Sequence, residues 1–278
     1  MKRLMTLLMV AIATLTVSAQ DDPYKVEMEA IDLQGEAIMK EYRRLMEADP
    51  NGEKQLTKTR IVQLSAQLDS LAGVQLQIIK RVIRENQNNQ IPAKYIADAM
   101  YQLGYEGLKE ALNPKAAYYN NPQLARAKSL LEGYEKRAPG QKYHELTMND
   151  MKDQKVQLSQ WIGGGKYVLV DFWASWCGPC RREMPNVKDC YDRYRQKGFE
   201  IVGVSFDQKK DAWVNAVQQM GMPWPQMSDL KGWKCAASAT YGVSSIPSNV
   251  LIDPQGKIVA MDLQGKALQN KLREIFGE

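Results

Sequence analysis

Residues 167–185, YVLVDFWASWCGPCRREMP, decide how the rest of the chain is interpreted. Two cysteines, Cys177 and Cys180, follow an apolar run that is typical of a buried β-strand. Cys177 falls where the strand ends and a helix is predicted to begin. Amide groups and the dipole at a helix N-terminus stabilise a thiolate, so this position lowers the pKa of a cysteine. Cys180 lies one helical turn further on, within reach of a disulfide.

Three kinds of site contain two cysteines at this spacing: a structural disulfide, a metal site and a redox centre. A disulfide that closes so short a loop adds little stability, because the gain grows with loop length. Zinc needs a second pair or two histidines, and this sequence has four cysteines and one histidine. We therefore expect a redox-active disulfide, with no metal and no separate cofactor. Pro179 fits this position because the first helical turn has no N–H partner to lose.

The C-terminal half alternates short β-rich runs with helical patterns. Apolar strands that alternate with helices predict a layered α/β fold with a mostly parallel central sheet. The sequence DPQG at 253–256 is typical of a hairpin turn, so the sheet is expected to end antiparallel and to be mixed.

The N-terminal half is predicted to be helical. Apolar residues at steps of three and four run from Ile61 to Val82, and ADPNGE before them ends an earlier helix. We expect an antiparallel helical hairpin followed by shorter helices, which together form an all-α domain over 20–138. Its apolar stripes are expected to pack within the domain, although docking of a second copy or a client protein is the alternative. The second domain is predicted over 139–278.

Residues 1–19 have the pattern of a secretory signal: Lys2 and Arg3, an apolar stretch, and small residues before Gln20. Cleavage is expected between Ala19 and Gln20, which places the protein in the periplasm or another extracytoplasmic space. The alternative is a retained membrane anchor, but the apolar stretch is shorter than a spanning helix needs. Loss of two basic residues lowers the net charge from +5 to +3, too little to indicate nucleic acid as a partner.

The segment VDFWASWCGPC resembles the active-site segment of the thioredoxin superfamily, whose members have a three-layer fold around a mixed sheet. Pro185 matches the proline in the family's active-site helix, and GVSSIP, ending at Pro247, matches its cis-proline loop. The lead-in before the first long strand, the insert before Pro247 and the export signal are similar to the TlpA/ResA-like extracytoplasmic branch, which is related to the AhpC/TSA domain. The resemblance covers about 142–278, half of the chain.

The resemblance implies catalytic roles for four residues. Cys177 is expected to be the attacking thiolate and the more exposed cysteine, and Cys180 the thiol that resolves the mixed disulfide. Asp171 matches the family's buried acid, and a buried acid has a raised pKa suited to proton transfer. Glu183 matches an acidic position of ResA-like proteins, although a solvated helix face explains it almost as well.

Five further residues are expected to form the groove for substrate. Pro247 shapes the groove, and Ile246 offers backbone hydrogen bonds to an extended client segment. Trp176 is expected to form the apolar wall of the groove, and ordinary packing within the domain is the alternative. Gly178 and Pro179, between the cysteines, complete the set.

The remaining cysteines and the histidine are expected to have no catalytic role. Cys190 and Cys235 are predicted to be buried and unpaired, since the family's topology places their helices on opposite faces of the sheet. His144 is predicted to lie on a strand surface.

These features predict an exported thiol-disulfide oxidoreductase that reduces protein disulfides through the CGPC dithiol. An exported reductant needs electrons from a membrane donor, because its surroundings are oxidising. Two alternatives stay open. The protein could be a disulfide isomerase or oxidase with a helical dimerisation arm, or a client-binding chaperone with secondary redox activity. The sequence does not indicate the oligomeric state.

Overall fold

The computed structural model describes residues 22–50 and 54–277. The predicted signal and its cleavage site at Ala19–Gln20 lie outside these residues. The chain divides after Leu124 into two compact units. Of the helices that the structure describes, none is both long and apolar enough to cross a bilayer.

The first unit is helical, as the sequence predicts. Its elements are α1 (Lys25–Ala48), α2 (Gln55–Glu85), α3 (Pro92–Asp98), α4 (Met100–Ala111) and a 3₁₀ turn (Pro122–Leu124). Two ion pairs join α1 to α2: Glu41 near the end of α1 with Arg60 near the start of α2, and Glu27 near the start of α1 with Arg81 near the end of α2. The two long helices therefore form the expected antiparallel hairpin.

The core of the first unit lies at the C-terminal end of α2. Ile79, Val82 and Ile83 are buried there, together with residues of α3 and α4 such as Ile96 and Leu108. By contrast, no residue of α1 is buried. The hairpin thus packs into this core mainly through the C-terminal end of α2.

The second unit has an α/β fold. Its strands are β1 (Thr147–Asn149), β2 (Lys155–Gln157), β3 (Tyr167–Trp173), β4 (Phe199–Ser205), β5 (Gln226–Ser228), β6 (Ser248–Ile252) and β7 (Ile258–Met261). Its helices are α5 (Ala125–Lys136), α6 (Gly178–Tyr194), α7 (Lys210–Met220), α8 (Ala236–Tyr241) and α9 (Lys266–Phe276).

The strands form one mixed sheet in the order β2-β1-β5-β4-β3-β6-β7. Only β3 with β4 and β4 with β5 pair in parallel. The other pairings are antiparallel, including the predicted hairpin of β6 and β7. The sequence expectation of a mostly parallel sheet was wrong, because β6 runs antiparallel to β3 and the short lead-in strands β1 and β2 add a second antiparallel edge.

Strand β3 is almost wholly buried, and its alternating side chains show which helices cover each face of the sheet. Tyr167 contacts Phe276 of α9, with ring centroids 5.6 Å apart. Phe172 contacts Tyr241 of α8 at 5.3 Å. These β3 residues are five positions apart and so point to opposite faces. Helices α9 and α8 therefore lie on opposite sides of the sheet, which gives the three-layer arrangement.

Helix α5 belongs to the second unit, although the predicted domain boundary placed it in the helical half. The Arg137 guanidinium, just after α5, donates hydrogen bonds to the carbonyls of Tyr241 and Gly242. The following segment, 139–143, hydrogen-bonds to the β6–β7 hairpin at Gly256 and Ile258. Sequence patterns alone do not reveal this packing, because α5 and the first-unit helices have the same periodicity.

Candidate active site

The two cysteines form a disulfide at the junction of a loop and α6. Cys177 and Cys180 are bonded, with Cα atoms 5.3 Å apart. Cys177 is the N-cap of α6, and its Sγ accepts a hydrogen bond from the Cys180 amide at 3.1 Å. Both residues are buried, Cys177 being 4% and Cys180 2% exposed, so exposure barely distinguishes them in this oxidised state. The amide contact does distinguish them, because it directs the positive end of α6 to the Cys177 sulfur.

The residues between the cysteines form the first turn of α6. Gly178 begins the helix and Pro179 follows it. A Cβ atom added at Gly178 would lie 3.5 Å from Nη1 of Arg182. A guanidinium group therefore lies close to the backbone of the CGPC turn. Pro185 lies within the same helix.

Asp171 is a buried acid on β3. It is 5% exposed, and its side chain lies on the same face of the sheet as that of Tyr167, the face that α9 covers. Burial, and secondarily the negative charge of Glu183 on α6, raise the pKa of Asp171 to about 7. The carboxyl group can therefore exchange a proton near neutral pH.

Glu183 joins α6 to the start of α9. Its Oε1 accepts hydrogen bonds from the Gly265 amide at 2.7 Å and from the Asn186 side chain at 2.6 Å. Gly265 is the N-cap of α9, and a carboxylate at a helix N-terminus is favourable. The alternative explanation, that Glu183 lies on a solvated helix face, does not fit this half-buried, hydrogen-bonded side chain.

The predicted groove loop precedes β6. The peptide between Ile246 and Pro247 is cis, and both residues are half-buried. Ser248, the next residue, pairs with Phe172 of β3. The loop thus lies at the end of the sheet where β3 stops and the CGPC segment begins. The Pro247 carbonyl accepts a hydrogen bond from the Gln264 side chain at 3.2 Å.

Trp176, the predicted apolar wall, is 54% exposed. Its ring lies 6.1 Å from that of Trp233, which is 47% exposed and which the sequence argument passed over. The sequence feature that could have identified Trp233 is a tryptophan within the polar insert DLKGWKC, residues 229–235.

Asp207 is a second buried acid that sequence reasoning missed. Its carboxylate accepts hydrogen bonds from the Ser175 amide at 2.9 Å, the Ser175 hydroxyl at 2.5 Å and the Ser205 hydroxyl at 2.8 Å. Asp207 therefore ties the end of β4 to the residue before Trp176. The apolar run that ends in an acid, FEIVGVSFD, resembles VLVDFW and could have drawn attention to it.

The remaining predicted residues lie away from this chemistry. Cys190 and Cys235 are free and buried, as expected. Burial raises the pKa of Cys190 to about 11 and that of Cys235 to about 12, so both thiols are poor nucleophiles. His144 lies in a loop, not on a strand as predicted, because its amide donates to the Tyr241 hydroxyl and its carbonyl accepts from that hydroxyl, so neither pairs with a strand. Among residues 22–50 and 54–277 no group of three or more His, Cys, Asp or Glu could hold a metal.

Comparisons with known proteins agree with this geometry. Residues 139–261 match the AhpC/TSA family. The thiol-disulfide oxidoreductase ResA of Bacillus thuringiensis subsp. konkukian is 32% identical over 150 residues, which are 52% of this chain and 83% of the relative. ResA of Bacillus subtilis is 30% identical over 131 residues, 47% of this chain and 70% of the relative.

Among solved structures, the thioredoxin domain of a thiol-disulfide oxidoreductase from Bacteroides vulgatus is 35% identical. It aligns with a TM-score of 0.47, over 50% of this chain and 98% of that domain. The sequence relatives, the mixed sheet and the CGPC disulfide at the start of α6 lead to one assignment. The chain belongs to the TlpA/ResA-like thiol-disulfide oxidoreductases of the thioredoxin superfamily.

Proposed function

We propose that this oxidoreductase is an exported reductant of protein disulfides that acts through a mixed disulfide on Cys177. The observation that carries the proposal is the hydrogen bond from the Cys180 amide to the Cys177 sulfur. In the reduced enzyme the same amide, at the positive end of α6, stabilises a Cys177 thiolate. The thiolate is the species that attacks disulfides.

The reaction has two exchange steps. The Cys177 thiolate attacks one sulfur of a client disulfide, a mixed disulfide forms, and the first client thiolate leaves. The Cys180 thiolate then attacks the Cys177 sulfur and releases the second client thiolate. The client gains two electrons and the enzyme ends as the disulfide. Asp171, with a pKa of about 7, accepts the proton from Cys180 before the second step.

The groove roles belong to the same proposal. In this proposal Ile246 and Pro247 form one border of the groove and Gly178 and Pro179 the other, supported by the start of β6 lying at the same end of the sheet as the end of β3. An extended client segment bound there presents its disulfide to Cys177.

Export is supported by the sequence of residues 1–19, which has the pattern of a secretory signal. Outside the cytosol thiols are oxidised, so the reduced state of Cys177 and Cys180 must be regenerated. A membrane dithiol donor that transfers two electrons to the enzyme disulfide completes the cycle. No separate cofactor and no nucleic acid enters the proposal.

Client trapping tests the proposed roles. A Cys180→Ser enzyme keeps the attacking thiol and lacks the resolving one, so disulfide-linked clients should accumulate as bands that a reductant removes. Cys177→Ser is the matched control and should trap far fewer clients, because its remaining thiol lies inside the first turn. Equal trapping by both variants would contradict the assignment, and no trapping by either would exclude protein disulfides as substrates.

The reduction potential tests the direction of exchange. Equilibration of the wild-type enzyme with glutathione should give a value near the ~−270 mV of thioredoxin. A value near the ~−120 mV of strong oxidants would instead favour the oxidase alternative. A Cys177/Cys180→Ser double variant that still protects clients from aggregation would favour the chaperone alternative.

A further inference from the structure

Two exposed tryptophans lie beside the redox disulfide. Among the described residues 125–277, Trp176 and Trp233 are the large hydrophobic side chains that stand exposed. Their ring centroids are 6.1 Å apart, so they form one apolar patch. Clustered exposed apolar side chains mark interaction sites, whereas isolated ones do not. Trp176 precedes Cys177 directly, which places the patch at the point of exchange.

The structure holds Trp233 rigidly from beneath. Its ring contacts the buried ring of Phe206, with centroids 5.4 Å apart. The Asp229 carboxylate accepts hydrogen bonds from the amides of Lys231 and Ala236, on either side of Trp233. Gly232 has a φ of +58°, and a Cβ there would lie 3.0 Å from the Gln208 side chain. The Trp233 ring therefore packs on Phe206 without a ligand, and a side chain that is already packed loses less freedom on binding.

Trp176 is held from the other side. Ser175 donates its amide and its hydroxyl to the buried Asp207 carboxylate. The Arg181 guanidinium donates to the Ser175 carbonyl at 3.4 Å. The peptide groups on both sides of Ser175 are thus held, which fixes where the backbone places Trp176, and the ring itself contacts Trp233.

The surroundings of the patch are basic. Arg181 is fixed at Ser175, and Arg182 lies beside Gly178. Lys231 and Lys234 flank Trp233 in sequence, and all four cations are exposed. The carboxylates of the two nearby acids bond to other groups than these four side chains: Asp207 accepts hydrogen bonds from Ser175 and Ser205, and Asp229 accepts them from backbone amides. An apolar patch with a basic border is complementary to an acidic, apolar polypeptide.

We propose that Trp176, Trp233, Arg181 and Arg182 form a client-recognition surface. Its ligand is a polypeptide that carries an aromatic or aliphatic residue and a carboxylate next to the disulfide to be reduced. This inference rests on the proposed function and adds the substrate class. Tryptophan and arginine are the side chains that most often dominate binding energy at interfaces. The disulfide chemistry itself stays with Cys177 and Cys180.

Four cyclic peptides test the surface, each closed by one disulfide and carrying Glu-Phe, Glu-Ala, Lys-Phe or Lys-Ala beside a cysteine. The measured quantity is kcat/KM for reduction of each peptide by the dithiol enzyme. The Glu-Phe peptide should be reduced about tenfold more efficiently than Lys-Ala, the size of one good interface contact. Ratios between peptides cancel any general loss of activity in a variant.

Variants then assign the preference to residues. Trp233→Ala should bring the Phe-to-Ala ratio close to one, and Trp233→Leu, which keeps an apolar contact on Phe206, should give an intermediate ratio. Arg182→Glu should reverse the Glu-to-Lys preference. Lys197→Glu makes the same charge change in the 3₁₀ turn just after the far end of α6, roughly 25 Å away, and should leave the preference intact. Circular dichroism verifies the fold of each variant.

The outcomes separate the two proposals. Equal kcat/KM for all four peptides in the wild type would overturn the recognition surface while the reductase function stands. A preference that survives in both Trp233 and Arg182 variants would also overturn it. Failure of the reduced enzyme to reduce any peptide would overturn the proposed function together with the surface.

Discussion

Asp171 shows how one residue links stability to chemistry. A carboxyl group with a folded-state pKa of about 7 holds its proton over a pH range in which the unfolded chain, with a pKa of 3.8, has lost it. The native state therefore binds more protons between these values, and stability falls as pH rises through that window. Above pH ~7 the full cost of a buried charge is present.

Asp171→Asn should therefore stabilise the protein at pH 8. We expect a gain of about 2–4 kcal/mol there, from a shift of roughly three pKa units, and little gain at pH 4.5, where the wild-type acid is already neutral. Urea unfolding at the two pH values measures the effect. Asp189→Asn, on an exposed site of α6, is the control and should show no such pH dependence. A pH-independent effect of Asp171→Asn would contradict the raised pKa.

The same residue should shape the rate of mixed-disulfide resolution. If the Asp171 carboxylate accepts the proton of Cys180, the wild-type rate falls as pH drops below about 7. Asp171→Asn should lose this dependence and be slower at pH 7.5 by roughly 10²-fold, typical of a lost general base. Stopped-flow tryptophan fluorescence on a preformed mixed disulfide follows the step.

Glu183→Gln offers an independent check on this assignment. Its charge helps to raise the pKa of Asp171, so the variant should shift the break in the rate profile to lower pH. An unchanged profile in both the Asp171 and Glu183 variants would reduce Asp171 to a structural residue.

At the scale of elements, α5 is fixed to α8 by the contact of two glycines. A Cβ at Gly133 of α5 would lie 2.8 Å from the carbonyl oxygen of Gly242, closer than atoms tolerate. Gly242 ends α8 with a φ of +61°, a conformation that favours glycine. The two backbones can therefore approach only because neither residue has a side chain.

Gly133→Ala should destabilise the second unit by about 1–3 kcal/mol, the usual cost of overpacking. Gly35→Ala is a matched control, since Gly35 lies within α1 with nothing near its Cβ position. The control should be neutral or stabilising by about 0.5–1 kcal/mol, because alanine favours a helix interior. Chemical denaturation followed by far-UV circular dichroism compares the two. Equal effects would argue against close packing of α5 on α8.

At the scale of the whole molecule, the second unit begins at Ala125, before the sequence boundary at 139. Arg137 is 2% exposed, bonds to three backbone carbonyls and pairs with Asp262 at 3.2 Å. Removal of α5 and Arg137 would leave the carbonyls of Tyr241 and Gly242 without this donor, which costs about 1–3 kcal/mol for each one that stays buried.

A fragment of residues 125–278 should consequently fold cooperatively and keep dithiol activity. A fragment of 139–278 should have a lower Tm and a smaller free energy of unfolding, by about 2–5 kcal/mol for the combined loss of the Arg137 bonds and the packing of α5. Thermal melts of the two fragments measure this difference in Tm. Equal stability would return the boundary to the predicted position.

The sequence by itself determined the chemistry and the class of fold. A cysteine pair at a strand–helix junction, an acid within an apolar strand and alternating β and α patterns are local signals, and local physics is enough to interpret them. The identity of the buried acid on β3 and the unpaired state of Cys190 and Cys235 followed from the same signals with the family resemblance.

Tertiary structure alone decided which distant residues meet. The direction of the lead-in strands, the membership of α5 and the pairing of Trp176 with Trp233 depend on contacts across tens of residues. Glu183 likewise meets the N-terminus of α9 only through the packing of two helices, because its partner Gly265 lies 82 residues away in sequence. The periodicity of apolar residues predicts whether a side chain is buried or exposed. It does not identify the residue that the side chain contacts, because those contacts depend on the packing of the whole chain.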